Sequence, residues 1–199
     1  MLQTLLNLDA SGLIWARSLI SSEHALVVQI LAESIVIFVM ITLVFLWIKW
    51  VRKQDDSYKF LALNIFYTIL LTFIVYGIIN LWIPQWRPSP DDIAGGIQPL
   101  IPHPIGNSFP SGHALFAGAF IIGLLRYLPD YRIISVAIIL SLITFAMRVI
   151  WWVHYPWDII GGFIFGIIGS LILASLVQAT FLQKKLSPLL IRIGKWIRL

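Results

Sequence analysis

Three short runs of this chain carry residue types that suit chemistry on phosphorus: Arg87-Pro88, Pro110-Ser111-Gly112-His113, and Arg148 followed by His154 and Asp158. In the second run, Pro110 and Ser111 make a helix entry with Ser111 as the N-cap. The N–H groups of Gly112 and His113 then face whatever sits above the helix, and a helix N-terminus attracts anions. Glycine permits close backbone approach. His113 is thereby an imidazole standing beside a phosphate cradle.

In the third run, Pro156 is predicted to break the chain's helical course. His154 then lies in a turn and Asp158 caps the following helix, within hydrogen-bonding reach of one imidazole nitrogen. A carboxylate in that position fixes the tautomer and leaves the other nitrogen free to attack. Arg148 adds a permanent planar cation suited to phosphate oxygens. Two His, two Arg, one Ser, one Gly and one Asp form a complete phosphoryl-transfer site, for which no metal or other cofactor is expected.

The elements that position these runs are apolar. Of 199 residues, 59% are hydrophobic and only 12% charged, far from the roughly one quarter charged that soluble domains carry. The long apolar stretches are Ala25 to Ile48, Phe60 to Ile83, Ser111 to Leu128, Ile133 to Val153 and Ile159 to Leu182. Each is near the roughly 20 residues that cross about 30 Å of hydrocarbon as a helix. They lack period-two alternation and are too long for barrel strands. The expected fold is all-α: a polytopic helical membrane protein with five transmembrane helices, forming a single membrane domain over 1–199 with no separate soluble part.

Residues 1–24 are membrane-seeking through Leu2, Leu5, Leu6, Leu8, Ile14, Trp15, Leu19 and Ile20, but Asp9, Gly12 and Arg17 interrupt them. They read as an N-terminal amphipathic interfacial helix or a re-entrant segment. No basic region precedes an apolar core there, as a cleaved signal peptide requires. Residues 184–199 mix cations with Leu, Ile and Trp196, which suits a helix lying on an anionic inner leaflet. The absence of cysteine excludes disulfides and thiol chemistry.

Lys and Arg prefer cytoplasmic loops. Lys49, Arg52, Lys53 and Lys59 lie between the first two spans, Arg126 and Arg132 between the third and fourth, and Lys184, Lys185, Arg192, Lys195 and Arg198 after the fifth, so 11 of 14 cations share one side. Of the other three, Arg17, Arg87 and Arg148, two belong to the candidate site. The N-terminus and the site are therefore expected outside and the C-terminus inside. Trp82, Trp86, Trp151, Trp152 and Trp157 at outer ends, with Trp47 and Trp50 at an inner end, agree with the interfacial preference of indole.

The loop from Pro84 to Pro110 is longer than a simple connection, and loops of that length usually carry function. At its ends stand the first two runs. Arg87-Pro88, Pro110-Ser111-Gly112-His113 and the spacing Arg-x5-His-x3-Asp resemble the three motifs of the type 2 phosphatidic acid phosphatase superfamily, over roughly 60–182. The resemblance implies a lipid phosphatase working through a phosphohistidine without a metal. In that scheme His154 attacks phosphorus, Asp158 orients it, and His113 protonates the leaving oxygen and then activates water. Arg87, Ser111, Gly112 and Arg148 bind the phosphoryl oxygens. Two departures stand out: Asn80 occupies the position, seven residues before Arg87, where family members often carry Lys, and Met147 replaces the Ser that usually precedes the third-motif Arg. Either Arg87 and Arg148 suffice, or another donor such as His103 helps, although a solvated loop histidine is the commoner case.

Glu33 lies within the first span near its outer end, and an intramembrane carboxylate is a functional candidate by default. Pairing with Arg148 or a site histidine competes with snorkelling or a helix-to-helix hydrogen bond. Gly162 and Gly166 have the spacing that permits close helix approach. Asp91 and Asp92 read as solvated loop charges, and His24, with no partner in sequence, as interfacial. The partners expected are the bilayer and an amphiphilic phosphate or diphosphate lipid, with no nucleic acid; nothing fixes an oligomeric state. The five-span plan is similar to bacterial undecaprenyl diphosphate phosphatases of the superfamily, which makes undecaprenyl diphosphate the first substrate expectation. Phosphatidylglycerophosphate or phosphatidate phosphatase, lipid A phosphatase, phosphotransferase and a catalytically degenerate lipid-binding member are the alternatives. A vanadate-dependent haloperoxidase, with a similar site, is disfavoured because those proteins are soluble.

Overall fold

Without water to solvate it, a backbone inside a bilayer must satisfy its own N–H and C=O groups, and the apolar runs do so as helices. The computed structural model describes residues 12–16, 18, 21–53, 55–82, 87–88, 107–179 and 187–196. Among these, a 3-10 turn at Ser22–His24 precedes α1 (Ala25–Ala32), α2 (Ser34–Lys53), α3 (Asp56–Trp82), α4 (Gly112–Tyr127), α5 (Tyr131–Ile150), α6 (Pro156–Ala179) and α7 (Ser187–Trp196), and no strand occurs. Helices α2, α3 and α5 are long and apolar enough to cross a membrane, while α4 and the 156–172 portion of α6 are shorter apolar helices.

The first expected span is not one helix. It breaks at Glu33 (φ −102°, ψ 0°), whose N–H reaches back to the carbonyls of Ile30 and Leu31. No Pro or Gly marks the break. Across it, Thr144 of α5 supplies the polar contacts: Ser34 Oγ lies 3.1 Å from Thr144 Oγ1, and the Ile35 N–H donates to the same atom at 3.2 Å.

At the centre of the bundle, α4 touches α2, α3, α5 and α6. Its contact with α6 is backbone to backbone, as the glycine spacing implies. A Cβ at Gly118 would stand 2.7 Å from the Phe163 carbonyl oxygen, one at Gly162 would stand 2.5 Å from that of Ser111, and one at Gly166 would overlap the Leu115 carbonyl. Phe120 and Leu124 of α4 pack with Ile35, Val39, Leu46 and Ile65 in the apolar core. Large side chains on the outer faces, including Ile41, Phe45, Ile139 and Leu142, are exposed, as lipid-facing positions are.

At the end away from the three motifs, Asp130 caps α5 by accepting from the Arg132 N–H at 2.9 Å. Lys59 corrects the reading of a loop cation: it lies in α3, fully buried, 4.2 and 3.8 Å above the rings of Trp47 and Trp50. Trp50, too, is buried. Helix α7 rests on α3, burying Ser187 and Ile191 and exposing Arg192. The side chains of Lys195 and Trp196, and residues Lys184, Lys185 and Arg198, lie outside the described residues.

At the motif end, Trp82 and Trp157 are exposed as expected, but Trp151 and Trp152 are buried. What covers them is the N-terminal segment. Residues 12–16 are helical; Leu13 packs on Trp152, and Ala16 packs with Val28, Ala32, Ile150, Trp151 and Val153. That part of the segment lies on the motif end of the bundle. Residues 1–11, Arg17 and Trp86 are outside the described residues. His24 finds a local partner that sequence spacing left unread, with Nδ1 2.9 Å from Ser21 Oγ.

Candidate active site

Helix α5 ends at Ile150 because the chain turns through Trp151 to His154 before Pro156 opens α6. Trp152 sits in the left-handed region (φ 60°), uncommon for a large side chain, and its indole Nε1 donates to the Leu13 carbonyl at 2.8 Å. His154 is thereby fixed in a turn, as expected. Asp158 is not the cap itself: Tyr155 precedes the helix, and Asp158, three residues on, accepts the Tyr155 N–H at 2.8 Å, the reciprocal half of a capping box.

Asp158 is fully buried, with Oδ2 3.6 Å from His154 Nδ1. This is too long for the direct hydrogen bond expected. Ser108 fills the interval: its hydroxyl donates to Asp158 Oδ2 and stands 3.4 Å from His154 Nδ1. The other ring nitrogen, Nε2, lies 3.3 Å from Arg87 Nη1, which also donates to the Val153 carbonyl at 2.9 Å. The proton thus belongs on Nδ1 and the lone pair on Nε2. Burial holds His154 down to about 4, opposed by the nearby Asp158 carboxylate and reinforced by Arg148 and Arg87. The imidazole is therefore neutral at ordinary pH. Burial likewise lowers Arg87, with Tyr76 and Asp158 opposing.

On α4, Ser111 is the N-cap, but its side chain makes no capping hydrogen bond. Its N–H donates to the Asp158 carbonyl at 3.0 Å, tying the start of α4 to α6. The side chain is buried, and Ser111 Oγ, Arg87 Nε and Arg148 Nε have no hydrogen-bond partner among the described residues. Buried donors left this way are costly unless a ligand accepts from them, which is what an oxyanion does.

Arg87, Gly112, His113, Arg148, His154 and Tyr76 form the polar part of a cavity of about 310 Å³, and Val36, Phe73 and Phe116 its apolar part. A Cβ on Gly112 would meet the Tyr76 ring at 3.5 Å, so glycine here keeps cavity space rather than relieving backbone strain. His113 Nε2 lies 2.8 Å from Glu33 Oε2, and Arg148 Nη1 lies 3.1 Å from Glu33 Oε1. Glu33 takes both partners that were weighed for it, an arginine and a site histidine. Arg148 also lies 5.4 Å from the Trp151 ring.

Asn80 does not line the cavity. Its Nδ2 donates to the Phe109 carbonyl at 3.2 Å, and Asn107 Nδ2 donates to the Asn80 carbonyl at 2.5 Å, so it clamps the approach to α4. Met147 packs with the Trp151 cluster. His103, Asp91 and Asp92 lie outside the described residues. Sequence reasoning passed over Ser108 and Tyr76. Ser108 carried no signal beyond standing two residues before Pro110, and Tyr76 only its place one helical turn before Asn80.

The geometry defines a helical membrane bundle whose one end gathers imidazoles, guanidiniums and a helix N-terminus around a small cavity. Residues 61–182 match the PAP2 superfamily, and the chain belongs to that superfamily. It is 31% identical over 140 residues to a lipid A 1-phosphatase of Rhizobium johnstonii, a match taking in 69% of this chain and 56% of the relative. It is 28% identical over 147 residues to the bacitracin transport permease protein BcrC of Bacillus licheniformis, covering 73% of this chain and 68% of that protein. The crystal structure of a transmembrane PAP2 type phosphatidylglycerolphosphate phosphatase from Bacillus subtilis superposes with a TM-score of 0.67 at 19% identity, over 88% of this chain and 87% of that one. This last likeness is one of fold.

Proposed function

We propose that the chain is a membrane lipid phosphatase that forms a phosphohistidine on His154, and that undecaprenyl diphosphate is its substrate. The observation that carries the reading is the orientation of His154. Nδ1 faces Ser108 and Asp158, and Nε2 faces the cavity beside Arg87. Nε2 attacks phosphorus as the bond to the leaving oxygen breaks, and that oxygen takes a proton from His113. Water then attacks phosphorus, gives its proton to His113 and frees His154. Arg87, Arg148, Ser111 Oγ and the N–H groups at the start of α4 receive the phosphoryl oxygens. No metal enters these steps.

Val36, Phe73 and Phe116 on the cavity wall suit a phosphate attached to a lipid tail. A polyprenyl diphosphate suits a helical membrane domain with a phosphoryl pocket at one end of the bundle. The segregation of charge supports the orientation, with the site outside and the C-terminus inside a bacterial cytoplasmic membrane: Lys49, Arg52 and Lys53 close α2, Arg126 lies at the end of α4, and Arg132 begins α5, all at the end opposite the cavity. A second reading, a lipid A 1-phosphate substrate, is favoured by the 31% identical relative.

Phosphate release by purified protein from undecaprenyl diphosphate, lipid A and phosphatidylglycerophosphate, each with EDTA and with His154→Ala alongside, tests the reading. Diphosphate hydrolysis that dominates, persists in EDTA and vanishes in the variant is the expected result. Dominant release from lipid A would replace the substrate, and equal release by the variant would remove the mechanism.

A further inference from the structure

Glu33 is the one acidic side chain among the described residues that pairs with both an imidazole and a guanidinium of the cavity. Its place is built rather than incidental. The helix break between α1 and α2 turns it inward, and Thr144 pins both sides of that break, taking the Ile35 N–H at 3.2 Å and lying 3.5 Å from the Leu31 carbonyl. Thr144 stands one helical turn before Arg148 on α5, so the same contact sets Glu33 opposite Arg148. One carboxylate oxygen then meets Arg148 at 3.1 Å and the other meets His113 at 2.8 Å.

We propose that Glu33 is a positioning residue for proton transfer, holding His113 by Nε2 so that Nδ1 is the atom that exchanges protons with substrate and water. The inference rests on the phosphatase reading and deepens it. With Nε2–H donated to the carboxylate, the neutral ring keeps its lone pair on Nδ1, and the charged ring is balanced by the neighbouring anion. In the first half-reaction the His154–phosphorus bond forms, the phosphorus–oxygen bond breaks, and Nδ1 passes its proton to the leaving oxygen. In the second, water attacks phosphorus, Nδ1 takes the water proton, and the phosphorus–nitrogen bond breaks. Each imidazole of the cavity is therefore backed by a carboxylate, His154 by Asp158 through Ser108 for attack and His113 by Glu33 for the proton.

Such a role depends on how badly the leaving group needs a proton. An alkoxide needs one, and p-nitrophenolate does not. The test compares Glu33→Gln with the wild-type protein on an alkyl phosphate and on p-nitrophenyl phosphate in the same detergent. The expected result is a fall in kcat/KM, which reports the steps up to phosphohistidine formation and not the hydrolysis that both esters share, of about a hundredfold on the alkyl ester and within about threefold on the aryl ester, in line with the usual weight of general acid catalysis. Glu33→Asp, which keeps a charge for Arg148 but draws the carboxylate back from His113, is expected to show the same selectivity to a smaller degree, and it serves alone if the Gln variant does not fold. Equal losses on both esters would overturn the proposal in favour of a structural role. Tighter orthovanadate binding with kcat unchanged would also overturn it, marking Glu33 as a competitor for Arg148. Wild-type protein releasing phosphate no faster than His154→Ala would instead overturn the phosphatase reading beneath it.

Discussion

His154 and Asp158 are joined through a third residue: Nδ1 and Oδ2 stand 3.6 Å apart, and the Ser108 hydroxyl donates to Asp158 Oδ2 while lying 3.4 Å from His154 Nδ1. A hydroxyl can relay orientation because it donates and accepts at once. Ser108→Ala leaves the carboxylate too far to hold the ring. Its kcat/KM is expected to fall about tenfold, the loss of one charge-assisted hydrogen bond. Asp158→Ala, which also strips the Tyr155 N–H of its acceptor, is expected to fall further. Phosphate-release kinetics on the two variants decide the order.

The buried position of His154 sets a pH dependence. Its folded value, about 4, lies below the ordinary value of about 6.5. With His154 as the proposed nucleophile, protonation removes the attacking lone pair, so kcat/KM is expected to hold down to about pH 5 and to fall below it. Between the two values the unfolded chain binds more protons, so stability is complete above the unfolded value and declines as pH falls through this window. Melting temperatures of wild type and His154→Gln in detergent should converge toward pH 4. Arg87→Gln, which removes a cation opposing that protonation, is expected to move the acid limb upward.

Two glycines separate folding from catalysis. A methyl at Gly166 meets the Leu115 backbone, which cannot yield, and overpacking of this kind costs about 1–3 kcal/mol or more. Gly166→Ala is expected to lower the melting temperature and activity together. A methyl at Gly112 meets only the Tyr76 ring at 3.5 Å, so Gly112→Ala should melt as wild type does yet turn over more slowly, its methyl taking space from the phosphoryl group.

Asn80 acts on the loop before α4 rather than on the phosphate. Asn80→Ala deletes the hydrogen bond to the Phe109 carbonyl and is expected to destabilise the protein by about 1 kcal/mol, with KM for substrate nearly unchanged. A KM that rises tenfold or more at unchanged melting temperature would place Asn80 on the ligand instead.

The residues of the three motifs were legible because their chemistry is written locally: a proline before a serine and a glycine, a histidine four residues before an aspartate. Ser108 was not, because its partners lie 46 and 50 residues further along the chain. Glu33 could be flagged as an acid in an apolar run, but its two partners are 80 and 115 residues away, and the helix break that aims it has no Pro or Gly to announce it. Trp151, Trp152 and Lys59 were assigned the right end of the bundle and the wrong surroundings. Periodicity and charge report depth in a bilayer; burial under a neighbouring segment depends on packing between parts of the chain far apart in sequence.

The hydrogen bond from Trp152 to Leu13 spans 139 residues, so the turn bearing His154 is closed by a segment far from it in sequence. Closing so long a separation costs more chain entropy than a local contact does. The turn is therefore framed only once the Leu13 segment has docked on Trp152, whatever the order in which the helices between them pack. On the phosphatase reading, competence is in that sense acquired with the docking of a remote segment, and a chain that lacks this contact leaves His154 unframed.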